Sequence, residues 1–213
     1  MVLLASSGRG AHPRPAPRRP RACRLGLTAR RGLLVAATAA LAVVLLAGPA
    51  AAHPLGYFTT NAAAGITVSQ RNVTITHVTD LAEIPALQAR QDMDAGGGGV
   101  DAGERSAFRK ATCAQIADRL RLTVDGRPAA LQVRGSAMAS PPGQAGLRTL
   151  RLTCHLRADI ATVTGPTRIA LHDGSWPERI GWREVTAVGD GVAVTASDVP
   201  AVSPSDRLRT YPR

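Results

Sequence analysis

The sequence predicts a mainly β protein: an antiparallel β-sandwich of about eight or nine short strands with one inserted helical segment. Most of the chain after residue 52 consists of short β-branched stretches divided by Gly, Asn and Asp, which is typical of strands and turns. One stretch, residues 104–119, instead spaces its apolar residues as an amphipathic helix does. The alternative fold class is α+β.

The first 52 residues predict an export signal. Eight arginines and no acidic residue come before an uncharged run at residues 32–47, and Gly48 and Pro49 end this run just before three alanines at residues 50–52. The run is shorter than the roughly 20 residues that a helix needs to cross a bilayer. A cleaved signal peptide is therefore favoured over an uncleaved anchor.

Removing this leader removes most of the positive charge. The whole chain carries a net charge of +11, but the leader holds eight of its 26 basic residues, so residues 53–213 retain 18 basic and 15 acidic residues. A net charge of +3 does not predict a nucleic-acid partner. We expect one exported β-rich domain at residues 53–196, followed by a linker or tail at residues 197–213.

Each element within this domain has a local signal. A short helix is expected near Pro85, and a glycine-rich loop at residues 92–103 precedes the main helix, which is expected to end near Arg119. Asp125 and Gly126 predict a hairpin turn. No later apolar run is long enough to cross a membrane, so these residues cannot form a channel by themselves. The predicted strands are residues 56–61, 65–70, 72–79, 120–124, 129–133, 146–156, 167–171, 181–188 and 192–196.

Two cysteines remain after Cys23 leaves with the leader. Cys113 and Cys154 form an even pair in a chain predicted to reach an oxidising compartment, which favours a disulfide. Two free thiols or a two-cysteine metal site are the alternatives, and the absence of a CxxC motif argues against the metal site.

His53 is the leading candidate for a metal ligand. Cleavage after Ala52 would place its imidazole beside a free α-amine, a donor pair suited to a nickel, copper or zinc ion. Pro54 has no amide hydrogen to lose, so further donors must come from elsewhere. The candidates are His77, His155 and His172, although each is more typical of a surface or packed side chain.

The acidic residues predict no strong second site. Asp92, Asp94 and Glu104 resemble a helix-flanked calcium loop, but the glutamate is displaced by one position, so calcium binding is not expected. Asp80 and Glu83 are interpreted as a helix N-cap with its capping-box glutamate rather than as a cation site. The sequence has no phosphate loop, nucleophile elbow or HExxH motif, and no enzymatic activity is predicted.

Six blocks of the sequence stand out by their order and spacing: residues 53–59, 80–85, the acidic glycine-rich loop, 146–152, 181–184 and 208–213. Together they resemble the actinobacterial membrane proteins known as nickel/cobalt (high-affinity nickel) transporters. Tyr57 departs from that pattern, since the family usually has Asn there.

The resemblance implies an extracytoplasmic domain, secreted or at the cell surface, that belongs to metal ion transport but lacks the transmembrane bundle. Its expected partner is a transporter-type membrane protein or the missing transmembrane half, with membrane contact through the leader or that partner. The alternative is a structural or protein-interaction module on the cell surface that binds no metal.

Overall fold

A computed structural model describes residues 56–211, and these belong to one compact unit. The predicted leader and His53 lie outside the described residues. The described part confirms a mainly β fold with inserted helices. Its elements are β1 Thr60–Ser69, β2 Asn72–Leu81, α1 Glu83–Met93, α2 Ala102–Arg119, β3 Leu120–Val124, β4 Arg127–Pro128, β5 Gln132–Ala139, β6 Leu150–Asp159, β7 Ile169–Asp173 and β8 Arg183–Asp190.

The strands form two sheets. The larger sheet has the order β5-β6-β2-β1-β8, and the smaller has the order β4-β3-β7. Neighbouring strands are antiparallel except β1 and β8, which run parallel. A parallel pair needs a long connection, and here that connection contains the rest of the domain. The antiparallel arrangement expected from the sequence therefore does not extend to this pair.

Two strand predictions near the ends of the domain are wrong. Residues 62–64, predicted to separate two strands, belong to the single strand β1, because three alanines are buried there between neighbouring strands. Residues 192–196 form no strand. Beyond them, the Ala187 N–H of β8 donates a backbone hydrogen bond to the Pro200 carbonyl at 3.1 Å.

The predicted hairpin turn is present, but the strand after it is not where we expected it. Asp125 and Gly126 have φ angles of 48° and 77°, the left-handed conformation that a two-residue hairpin turn requires. The returning strand β4 covers only Arg127 and Pro128, and one more backbone hydrogen bond, from the Ala129 N–H to the Leu122 carbonyl at 2.9 Å, follows it. The chain then crosses to the larger sheet, where β5 begins at Gln132, so only the last two residues of the predicted strand 129–133 lie in a strand, and they pair with β6 and not with β3.

The inner face of the larger sheet carries the main core. Leu152 and Leu156 of β6 and Ile75 of β2 alternate with outward-facing residues, and they pack with Ile116 of α2. Helix α2 ends at Arg119, as predicted. No helix within residues 56–211 is both long and apolar enough to span a membrane.

A disulfide links the main helix to the sheet. Cys113 of α2 and Cys154 of β6 are bonded, with their Cα atoms 5.6 Å apart, and both residues are fully buried. This confirms the pairing that the sequence predicts. The bond fixes α2 on the inner face.

The N-terminus of α1 differs from the prediction. Its N-cap residue is Ala82, which has no side chain that could cap the helix, so Asp80 and Glu83 do not form the expected capping box. Asp80 instead lies in β2, and Glu83 is fully buried with one carboxylate oxygen accepting the Gln144 N–H at 2.9 Å. The capping box of this domain is at α2, between Asp101 and Glu104.

The outer face of the larger sheet is partly covered by the end of the chain. We call residues 203–211 the strap. Leu208 of the strap is buried against Ala63 of β1 and Val78 of β2, with Trp182 and Tyr211 beside it. The sequence predicts a linker here, whereas the structure packs this segment on the sheet because it contributes an apolar residue and several hydrogen-bonding side chains.

Candidate functional site

The structure places the predicted histidine ligands apart from one another. His77 is buried on the inner face of the larger sheet, and His155 is exposed on the outer face, with Nδ1 3.5 Å from Thr76 Oγ1. His172 is exposed in the smaller sheet. Within residues 56–211, no three His, Cys, Asp or Glu side chains form a group that could hold a metal ion.

The acids of the calcium-like loop occupy three different local positions. Asp92 lies in the last turn of α1. Asp94 Oδ2 accepts the Gly99 N–H at 3.1 Å, and Glu104 Oε2 accepts the Asp101 N–H at 3.0 Å. Asp94 therefore stabilises the loop, and Glu104 stabilises the start of α2.

A buried group of polar side chains surrounds His77; we call it the His77 cluster. His77 Nε2 lies 3.2 Å from Asp173 Oδ2 and 3.4 Å from Ser175 Oγ. Its other nitrogen, Nδ1, lies 3.5 Å from Thr79 Oγ1, which accepts a hydrogen bond from Trp176 Nε1 at 3.2 Å. Because β2 and β7 belong to different sheets, the cluster joins the two sheets.

The cluster has the residue types of a serine hydrolase triad but not its geometry. In such a triad the carboxylate and the serine contact different imidazole nitrogens, so that the histidine can pass a proton between substrate and serine. Here Asp173 and Ser175 both contact Nε2. His77 and Ser175 are also 0% and 2% exposed, so the serine faces protein and not solvent. The arrangement suits a structural role.

Asp173 is the charged member of this cluster. Burial opposes its ionisation, but hydrogen bonding and electrostatic attraction to His77, together with two hydrogen bonds from Ser175, outweigh burial and hold the pKa of Asp173 well below its usual range. The sequence analysis did not single out Asp173. The only local signal was that His77 occupies an inward position in a strand whose other inward residues are mostly apolar.

A second group lies where the chain enters and leaves the described domain; we call it the terminus cluster. The Tyr211 hydroxyl donates to Asp80 Oδ2 at 3.2 Å and accepts from Asn61 Nδ2 at 3.0 Å. Asn61 Oδ1 accepts the Trp182 N–H at 2.8 Å, and Arg151 lies 4.0 Å from Asp80. Burial and the neighbouring Asp80 carboxylate raise the pKa of Tyr211, so its hydroxyl stays protonated at neutral pH.

The strap reaches this cluster in an unusual conformation. Asp206, Arg207 and Leu208 have φ angles of 47°, 56° and 65°, which cost residues with a side chain about 1–2 kcal/mol each. Neighbouring side chains hold this shape. The Arg151 guanidinium donates to the carbonyls of Arg207 and Leu208, while the Ser205 hydroxyl accepts the Leu208 N–H at 2.8 Å.

Glu184 of β8 fixes the other end of the strap. Its carboxylate accepts hydrogen bonds from Trp182 Nε1 at 2.9 Å, from Ser205 Oγ at 2.6 Å and from Ser203 Oγ. Burial opposes ionisation, but the hydrogen bonds from Ser203, Ser205 and Trp182 outweigh it and lower the pKa of Glu184. An ionised Glu184 therefore binds the strap more strongly than a protonated one.

The uncovered part of the outer face contains a shallow depression of about 530 Å³. Asp159 lies in it, 2.8 Å from Arg157 and 3.9 Å from Arg134, so much of the positive charge there is already compensated. Its lining residues include Thr74, Thr76, Arg134, His155, Arg157 and Asp159.

No protein-family model, curated protein or solved structure matches the chain. Any proposal for the function therefore rests on the side-chain geometry and on the sequence resemblance. Of the two clusters, the terminus cluster fastens the end of the described chain beside its start.

Proposed function

We propose that the chain is an exported domain that serves a membrane metal transporter of the nickel/cobalt class. Three features support it: the leader-like sequence at residues 1–52, the family resemblance, and the buried Cys113–Cys154 disulfide. Disulfides persist in oxidising compartments, so this bond suits a domain outside the cytoplasm.

The observation that carries this proposal is the hydrogen-bonded contact between Tyr211 and residues at the beginning of the domain. Asn61 is the second residue of β1, and Asp80 is its register partner in β2. Tyr211 bonds to both side chains, so residues 61 and 211 lie at one end of the larger sheet. A domain whose two ends emerge on one side suits attachment to a membrane or a membrane partner at that side.

His53 is the proposed metal ligand within this function. Purified residues 53–213 with an authentic His53 amino terminus should bind nickel, cobalt or copper in a calorimetric titration, since α-amine and imidazole nitrogens suit these ions. The His53→Ala variant should lose this binding. Gln88→Ala is the control and should keep the binding, because Gln88 is an exposed residue of the described domain that is not among the candidate ligands.

Two results would contradict the ligand role of His53. One is that the authentic protein binds none of the three metals at micromolar concentration. The other is that mass spectrometry finds residues 1–52 still attached in the exported protein, since the His53 α-amine would then not exist.

A surface module that binds no metal is the alternative function. The surroundings of His77 favour it, because both ring nitrogens of this fully buried side chain already lie within hydrogen-bonding distance of protein groups. Deleting the gene and measuring nickel and cobalt in the cells separates the two functions. A transport role predicts altered metal content that the wild-type gene restores and the His53→Ala gene does not.

A further inference from the structure

Large apolar side chains are exposed at the end of the larger sheet where β1 begins. Tyr57, Phe58 and Ile180 are 49%, 70% and 83% exposed, and we call these three residues the edge patch. Soluble surfaces seldom group large apolar residues in this way unless they contact a membrane or another protein.

The edge patch consists of two loop tips held side by side. Tyr57 and Phe58 lie in the turn before β1, which is closed by a hydrogen bond from Thr59 Oγ1 to the Gly56 carbonyl at 3.2 Å. Ile180 lies in the loop before β8. The Thr60 N–H donates to the Ile180 carbonyl at 2.9 Å, so the two loops are joined directly beside the exposed side chains.

The turn before β1 is also anchored to helix α1. The Ile84 N–H donates to the Tyr57 carbonyl at 3.0 Å, and the Ala82 N–H donates to the Thr59 carbonyl at 2.9 Å. The backbone that carries the patch is therefore fixed on both sides, although its side chains face solvent. A rigid projection of this kind can insert apolar side chains without first ordering a loop.

From this geometry we infer that the edge patch docks on a lipid bilayer. Only eight residues, 48–55, separate the apolar run at residues 32–47 from the start of the described domain. Fully extended, they span at most about 28 Å. The patch is therefore delivered close to the bilayer during export, and it stays close if the leader is retained. The Tyr211 end of the chain lies at this same end of the sheet.

Apolar insertion, and not charge, drives this docking. Arg179 beside Ile180 is exposed, but so is the adjacent Glu178, so the loop tip has little net charge. Aromatic residues favour the interfacial region of a bilayer, and Phe or Ile side chains gain free energy on leaving water. Binding should consequently depend on the patch residues far more than on the charge of the lipid.

Vesicle binding by purified residues 53–213 tests this inference. This part contains the whole described core and its disulfide, and cooperative thermal unfolding would be verified first. We expect it to sediment with vesicles of phosphatidylcholine and with vesicles of equal parts phosphatidylcholine and phosphatidylglycerol. The double variant Phe58→Ser with Ile180→Ser should bind at least about tenfold more weakly to both.

Matched variants separate docking from a loss of folding. Val194→Ser removes an exposed apolar residue that lines a depression with Val188 near the other end of β8, and it should bind as the unmodified domain does. Phe58→Trp should retain binding, and its added indole should show blue-shifted fluorescence with vesicles, because Trp also favours the bilayer interface.

Three results would overturn the inference: no vesicle binding by the folded domain, binding unchanged in the double variant, or dimerisation through the patch in place of vesicle binding. The inference rests on the export part of the proposed function and not on its metal part. The double variant should keep the metal binding of the unmodified domain, so failure of docking and failure of the His53 site are distinguishable.

Discussion

The two faces of the larger sheet hold their covering layers by different means. On the inner face, α2 is held by close apolar packing around Ile75 and Leu152 and by the Cys113–Cys154 bond. On the outer face, the strap is held mainly by hydrogen bonds and charge, with Leu208 as its buried apolar residue. From this difference we expect the inner layer to determine the stability of the fold, and the outer layer to detach while the sheet remains folded.

Removing a large inner-face side chain should have the largest effect. Leu152→Ala leaves a cavity in a fully packed core, and we expect it to lower the free energy of unfolding by about 4 kcal/mol in urea denaturation. His155→Ala, an exposed position on the outer side of the same strand, should change it by less than about 0.5 kcal/mol. Equal effects at the two positions would contradict the assignment of the faces.

Removing the disulfide should be nearly as costly. Replacing both Cys113 and Cys154 by Ser should lower stability by about 3 kcal/mol, since the bond restricts the unfolded chain. Thermal unfolding with and without a reducing agent measures this effect. The unfolding temperature of the double variant should not change with the reducing agent. If that of the wild-type protein does not change either, the bond does not contribute to stability.

On the outer face, Glu184→Gln should weaken the free energy that holds the strap on the sheet by about 1.5 kcal/mol, because charge-assisted hydrogen bonds are lost at a partly exposed site. Limited proteolysis should cut the strap faster in this variant while the sheet stays intact. Glu178→Gln, which changes an exposed glutamate, is the control. If the variant loses inner-face stability along with the strap, the two layers are not independent.

Acid should act on the outer face through the same carboxylate. The folded-state pKa of Glu184 is lowered, so its stabilising contribution is present above the unfolded pKa of about 4 and is lost as pH falls through the folded value. The difference in strap protection between wild type and Glu184→Gln should therefore disappear at low pH. An acid-resistant protease can measure this, and a difference that persists below the folded pKa would exclude Glu184 as its source.

Among the substitutions that remove a contact of the core or the strap, the smallest effect is expected at Tyr211. Tyr211→Phe keeps the ring but removes the hydroxyl that contacts Asn61 and Asp80, at a cost of about 1 kcal/mol. Hydrogen exchange of amides in the strap should accelerate, while exchange in β6 should not. Accelerated exchange in both regions would mean that the terminus cluster supports the whole sheet.

Local signals made part of this fold predictable. The strand Leu120–Val124, its turn at Asp125 and the end of α2 at Arg119 all follow from residues near one another in sequence. The number of cysteines and the expected compartment were enough to predict the disulfide. The wrong prediction of a helix N-cap at Asp80 also came from the local sequence. Glu83 follows Asp80 by three residues, and this spacing is compatible both with a helix cap and with the end of a strand.

The remaining features depend on contacts between distant parts of the chain. His77 and Asp173 are 96 positions apart, and Asp80 and Tyr211 are 131 apart. Nothing in the composition near any of these residues specifies its partner. The strap was missed for the same reason, since its serines resemble linker residues until Glu184 is brought beside them.

The strap also affects how the domain would respond to mechanical force. A pull on its two ends would load the strap's hydrogen bonds one after another, in a peeling geometry, before it loads the ladder between β1 and β2. The disulfide would then prevent the segment from Cys113 to Cys154, a sequence separation of 41, from extending. Fully extended, that segment would span about 140 Å. Under tension the strap is thus the first part to yield, and the covalent loop limits how far the domain can lengthen.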